Sequence, residues 1–194
     1  MDKEQYEKIK ENYGNVASWL IYDDNYGDYK KNFELIERSV KEILNPKYMF
    51  CGLNAARDTL RTWEAFHCKY RGGKGKLLRD TFNNSNVFKG SYVTDFIKKH
   101  VNAKSHEVFK EIKINKKKYN ENIDLLRQEI EDIKIGKKYP RVFAFGKYTH
   151  ELLHESTLGR DFKIEYIPHY SAYGSRAGLF IQKIREIEKS ISGV

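Results

Sequence analysis

Cysteine is scarce in this sequence, which has only Cys51 and Cys68 among its 194 residues. Two cysteines exclude a zinc site or an iron–sulfur cluster held by four cysteines of this chain. So few cysteines are also typical of proteins from reducing compartments, where disulfides are rare. We therefore expect a cytoplasmic protein.

Long apolar runs are also missing, since none approaches the roughly 18 residues that a membrane span needs. The charged residues 1–5 lack the apolar stretch of a signal peptide. Hydrophobic residues at 40% and charged residues at 32% are typical of a soluble globular protein. Because no repeat or flexible linker interrupts the chain, we expect a single monomeric domain over residues 1–194. Residues 1–45 are expected to form an N-terminal helical extension that packs on the core.

Positive charge is in excess, and 36 Lys and Arg against 27 Asp and Glu give a net charge of +9. Such an excess favours polyanionic partners, and nucleic acid in particular. The excess is concentrated between residues 98 and 118, where eight lysines occur with Glu107 and Glu111. This segment is either a solvated face or a surface that follows phosphates.

Apolar runs of strand length alternate with helical periodicity along the chain. The predicted strands are residues 48–53, 92–97, 141–146 and 162–167, and the predicted helices include residues 31–44, 120–135 and 180–191. Residues 16–22 are apolar but of undetermined type, and Gly136 is the expected C-cap of the second helix. This alternation predicts an α/β fold, specifically a three-layer sandwich with a central four-stranded parallel sheet.

In such sheets ligands bind beyond the carboxyl ends of the strands. The residues at those ends are 54–57, Asp95, 146–147 and 169–171. Asn54 there either orients a water molecule or is a simple turn residue. His169 either donates a hydrogen bond to a forming oxyanion or has a structural role.

Two short motifs at these ends resemble those of the uracil-DNA glycosylase superfamily. Residues 52–56, GLNAA, resemble the motif after the first strand, and residues 169–171, HYS, resemble the motif after the last strand. Residues 90–95, GSYVTD, resemble the middle strand that carries a base-reading side chain, and residues 142–146, VFAFG, resemble the third strand. The resemblance extends over residues 46–179.

The resemblance implies an N-glycosyl hydrolase that acts on a damaged or modified base flipped out of single- or double-stranded DNA. By position, Asn54 would place the water, His169 would stabilise the departing base and Asp95 would read the base edge. The candidates for an aromatic platform under the base are Trp63, Phe66 and Tyr70. The candidates for phosphate contacts are Arg57, Lys98 and Ser171. No metal or other cofactor is implied.

Three residues make the chain a divergent relative. Ala55 and Tyr170 replace prolines of the two motifs, and Asp95 stands where enzymes that remove uracil commonly have Asn. The Asp95 carboxylate offers only acceptors, so we expect it to disfavour uracil and to favour a base edge with an amino donor. The alternatives are a catalytically inactive module that binds nucleic acid or a nucleotide, and a nucleotide or nucleoside hydrolase.

Two further motifs are set aside. Residues 72–76, GGKGK, lack the spacing of a phosphate-binding P-loop. His150 and His154 have helical spacing but no evident third metal ligand, which favours surface histidines.

Overall fold

The computed structural model describes residues 1–23, 28–40, 42–56, 61–67, 74–98, 100–171 and 176–193. They contain a five-stranded sheet in the order β1-β3-β2-β4-β5. The strands are β1 (Ala17–Trp19), β2 (Asn45–Asn54), β3 (Ser91–Ile97), β4 (Arg141–Phe145) and β5 (Ile164–Ile167). The α/β class is therefore confirmed.

The sheet is mixed, which corrects the expectation of a four-stranded parallel sheet. Neighbouring pairs β2–β3, β2–β4 and β4–β5 are parallel, whereas β1 pairs with β3 antiparallel. The extra strand comes from the apolar segment whose type the sequence left open. It covers only three residues, too few for strand alternation to identify it.

Helices occupy most of the connections between the strands. They are α1 (Lys3–Tyr13), α2 (Tyr29–Arg38), α3 (Lys74–Asn83), α4 (Ser105–Ile114), α5 (Lys116–Ile133), α6 (Gly146–His154), α7 (Leu158–Asp161) and α8 (Arg176–Ser192). Helix α2 ends earlier than predicted, because the Ser39 carbonyl accepts hydrogen bonds from the amides of residues 42–44 in a tight turn. Gly136 lies beyond the C-cap of α5, Lys134, in a left-handed turn.

Side chains of the strands alternate between two buried clusters. On what we call the first face, Met49 and Cys51 of β2 pack among residues of α1, α2, α4, α5 and α6. On the second face, Phe50 of β2 and Phe143 of β4 pack among residues of α3 and α8. Helices therefore cover both faces of the sheet.

The N-terminal segment is more integrated than a helical extension. Helix α1 packs on α5, where Lys8 and Tyr13 both bind the carboxylate of Asp132. Strand β1 follows and joins the sheet through β3. Residues 1–45 thus contribute an edge strand as well as helices, which corrects the expected helical extension.

A membrane span is not found in the described part of the chain, where every helix is too short or too polar for one.

Candidate functional site

Asp95 lies across Gly52 at the carboxyl ends of two neighbouring strands. The two residues are paired in register between β3 and β2. A Cβ atom on residue 52 would collide with Oδ1 of Asp95 and would lie 3.6 Å from Cζ of Phe66. The absence of a side chain at Gly52 therefore leaves room for a carboxyl group and an aromatic ring on the second face.

Phe66 reaches this position through a loop with unusual backbone geometry. Both Trp63 and Phe66 have positive φ angles, of 61° and 65°, which bulky residues rarely adopt. Hydrogen bonds hold the loop: the Trp63 amide donates to Gly14 O at 2.6 Å, and Ser18 Oγ donates to Trp63 O at 3.0 Å. Backbone strain of this kind persists only where the surroundings fix it, and it is common at ligand sites.

Asp95 is 9% exposed, and among the described residues no group donates a hydrogen bond to its carboxyl. Burial raises its pKa to about 7, the nearby Lys98 acts in the opposite direction, and Glu129 raises the pKa further. Lys98 does not reach Asp95, because its Nζ is bound to Glu129 and Thr94 at 2.5 Å each. Within the described ranges, the acid thus has neither a donor nor a counterion in contact.

His169 packs over a second glycine, Gly146, where β4 ends and α6 begins. Gly146 has a φ angle of +81°, and a Cβ atom there would lie 3.3 Å from Cβ of His169. The ring stacks on Tyr170 at 4.6 Å and meets Phe145 edge-on at 6.2 Å. Because Phe145 belongs to the second face, His169 lies on the same face as Asp95.

The hydrogen bonds of His169 fix its tautomer. Nδ1 accepts from the Ser171 amide at 3.1 Å and contacts Ser171 Oγ at 2.8 Å. A backbone N–H can only donate, so Nδ1 is unprotonated and the proton of the imidazole is on Nε2. Ser171 therefore positions His169 as an Nε2–H donor.

The two glycines lie at the same end of the sheet. Cys51 of β2 pairs with Ala144 of β4, so Gly52 follows that pair by one residue and Gly146, the first residue of α6, follows it by two. Adjacent strands are about 4.8 Å apart. Asp95 over one glycine and His169 over the other thus share one end of the sheet, with Phe66 on the side of Asp95.

Asn54 ties two loops together at the same edge. Its Nδ2 contacts the carbonyl oxygens of Ala55 at 2.9 Å, His100 at 3.1 Å and Asn102 at 2.8 Å. The amide group therefore joins the segment after β2 to the segment after β3. Placement of a water molecule by Asn54 stays a prediction.

Two predicted site residues lie in the interior instead. Trp63 is 1% exposed, packs against Trp19 and donates from Nε1 to the hydroxyl of Tyr6 at 2.9 Å. The side chain of Lys98 is 8% exposed and forms a buried ion pair with Glu129. Neither has surface for a base or a phosphate, so we leave both out of the site. Arg57 and Tyr70 lie outside the described residues.

The lysine-rich segment is largely paired with carboxylates. Lys104 binds Glu107 at 3.0 Å, Lys118 binds Glu111 at 2.7 Å, and Lys113 contacts both Glu151 and Glu155. These contacts favour a solvated, ion-paired face over a surface that follows phosphates. The segment also contains α4, which the sequence did not predict.

Sequence reasoning missed Glu129, which binds Lys98 on the first face, and the position of Gly52 and Gly146 beneath Asp95 and His169. Both glycines are visible in the sequence, because Gly52 lies near the end of the apolar run 48–53 and Gly146 ends the apolar run 141–146. Among the described residues, no three His, Cys, Asp or Glu side chains are grouped so that they could hold a metal ion.

No model of a known protein family matches the sequence, and no curated protein matches it. The geometry of the site therefore carries the functional argument.

Proposed function

We propose that the chain is an N-glycosyl hydrolase with a three-layer, uracil-DNA-glycosylase-like fold that acts on a base flipped out of DNA. The observation that carries the proposal is the placement of Asp95 over Gly52 and of His169 over Gly146 at one end of the sheet, with Phe66 beside Asp95. A planar ring, a polar group for the base edge and an N–H donor are the three elements that recognition of a flipped base needs.

In the proposed reaction, the base stacks on Phe66 and pairs with Asp95 through its edge. The bond between the base nitrogen and sugar C1′ breaks, and its electron pair leaves with the base. The Nε2–H of His169 donates a hydrogen bond to the oxygen on which that negative charge collects. Water then bonds to C1′ through its oxygen, and its proton neutralises the departed base.

DNA is the preferred substrate over a neutral nucleoside because the net charge is +9. The buried and ion-paired lysines described above reduce the share of that charge that can meet phosphates. Contacts from Ser171 and Arg57 to the phosphates that flank the flipped nucleotide belong to the proposal.

The test is release of a base from oligonucleotides that each contain one uracil or one modified base, in single- and double-stranded form. We expect the wild type to release at least one of them and His169→Ala to lose roughly 10²-fold or more in rate, since a single oxyanion donor is worth that much. His154→Ala is the matched control, because His154 is an exposed histidine at the far end of α6.

The second candidate is a module that binds nucleic acid or a nucleotide without turnover. The environment of Asn54 is consistent with it, because Nδ2 binds three loop carbonyls and so already gives this residue a structural role. Salt-dependent DNA binding by the wild type, with no base release from any substrate, would support this candidate over the hydrolase.

A further inference from the structure

The carboxyl group of Asp95 has an environment suited to a ligand and poorly suited to a charge. Buried polar groups in folded proteins are nearly always hydrogen-bonded, and an exception requires an explanation. Among the described residues nothing donates to this carboxyl. The carboxyl lies over Gly52, which has no side chain, and Phe66 lies on one side of it. A ligand that hydrogen-bonds Asp95 would supply the missing partner.

The described titratable groups around Asp95 do not offer a counterion. Lys98 and Glu129 neutralise each other on the first face. Behind Gly52, burial raises the pKa of the Cys51 thiol, so the thiol is neutral. In the Phe66 loop, burial lowers the pKa of His67 to about 4, against a smaller raising effect of its bond to the Trp19 carbonyl, so this imidazole is neutral as well.

With respect to the described residues, an ionised Asp95 would thus be a largely buried charge without an ion-pair partner or a donor, which is unfavourable. The protonated acid avoids that cost. It also has a different recognition chemistry, since its O–H donates while its carbonyl oxygen accepts. An ionised carboxylate can only accept.

We propose that Asp95 binds its ligand as a neutral carboxylic acid and that the ligand presents a lactam edge, a carbonyl next to an N–H, as in uracil. The acid O–H donates to the ligand carbonyl, and the acid carbonyl accepts from the ligand N–H. This inference rests on the proposed function and names its substrate class. It reverses the sequence-based expectation that Asp95 disfavours uracil, which assumed an ionised side chain.

The affinity of the site for a lactam edge should depend on pH. With a pKa near 7, Asp95 changes protonation within the physiological range. Above that pKa, each unit of pH reduces the protonated fraction, and with it the affinity for a lactam edge, by about tenfold. Below it, the affinity is constant with respect to Asp95.

The experiment measures the affinity of free uracil, with cytosine as the comparison ligand, from about pH 5.5 to about pH 8.5. Three proteins are compared: the wild type, Asp95→Asn and Asp95→Ala. We expect uracil affinity of the wild type to fall above pH 7, whereas Asp95→Asn binds uracil equally at every pH because an amide keeps both a donor and an acceptor. Asp95→Ala should lose at least tenfold in affinity at the lowest pH.

Three results would overturn the proposal: no uracil binding at any pH, a wild-type affinity that does not change with pH, or the same decline in Asp95→Asn, which would assign it to another group. The carboxyl carbon of Asp95 in the wild type, followed by NMR, gives a check that needs no variant. An ordinary pKa there would also contradict the neutral acid. Base release with His169→Ala is measured separately at one pH, so failure of the hydrolase and failure of the neutral acid are distinguishable.

Discussion

Gly52 and Asp95 are register partners in neighbouring parallel strands, and the carboxyl of Asp95 occupies the space where a side chain of residue 52 would be. This relationship makes a glycine of the sheet part of the candidate site. It also places the acid beside Phe66, and no described cation forms an ion pair with the acid. The stability and the ligand affinity of the protein should therefore depend on this pair and on the groups around it.

Substitution Gly52→Ala should disrupt the site and destabilise the fold. The added methyl would collide with Oδ1 of Asp95, and Phe66 stands close on the other side. Overpacking of this kind costs typically about 1–3 kcal/mol of unfolding free energy. Urea denaturation measures the change, and Gly178→Ala is the control, because its Cβ would meet nothing within 4 Å. Equal stability of the two variants would contradict the packing described here.

The pH dependence of stability should reveal Asp95. Its pKa is raised from 3.8 to about 7 in the folded protein, first by burial, so folding disfavours the ionised form. Stability is therefore unaffected below about pH 4 and falls as pH rises from about 4 to 7, by at most roughly 4 kcal/mol. Asp95→Asn should abolish that fall in denaturation experiments across this range. A variant whose stability follows the wild-type curve would show that Asp95 ionises normally.

His67 should produce the opposite trend. Burial lowers its pKa from 6.5 to about 4, and its Nδ1 is buried without a partner in the described part of the chain. Its contribution to stability is complete above about pH 6.5 and is lost as pH falls toward 4. His67→Gln should remove this acid sensitivity.

Between about pH 4 and 6.5 the contributions of Asp95 and His67 oppose each other, so the wild type should show a flatter stability profile than either single variant. Denaturation midpoints of the four proteins in this cycle, the double variant included, measure the two contributions independently. A wild-type profile as steep as that of a single variant would contradict this compensation.

Lys98→Met should destabilise the protein without a specific effect on nucleic-acid binding. It would leave Glu129 buried, and of its described partners only the hydroxyl of Tyr92 at 2.6 Å would remain. Loss of one member of a buried ion pair costs about 3–5 kcal/mol, and the double substitution with Glu129→Leu should restore much of it. If the salt dependence of DNA binding changes in the restored double variant, Lys98 contacts phosphate after all.

The sequence predicted the parts of the fold that depend on local patterns. Strands β2 and β4 contain continuous apolar runs, β3 is rich in aromatic and β-branched residues, and β5 alternates, so their type and approximate bounds follow from the residues alone. Strand β1 is too short for this. In α4 only two residues, Val108 and Ile112, are buried, and charged residues separate them. The positions of Asp95 and His169 at the carboxyl ends of the parallel strands followed from the predicted order of strands and helices.

Contacts between distant residues could not be predicted in this way. Lys98 is buried because it meets Glu129, which is 31 residues away in α5. The three aromatic candidates of the loop could not be ranked, because left-handed backbone at Trp63 and Phe66 decides which ring faces the core and which faces the site. The protonation of Asp95 depends on the same tertiary burial.

The most direct test of the account is a crystal structure of the protein with a uracil-containing single-stranded oligonucleotide, using His169→Ala to prevent turnover. The account predicts a uracil ring stacked on Phe66, with its carbonyl and N–H within hydrogen-bond distance of Asp95 and an oxygen facing the place of His169. A base bound away from Asp95 and Phe66, or an empty site at a saturating oligonucleotide concentration, would contradict it.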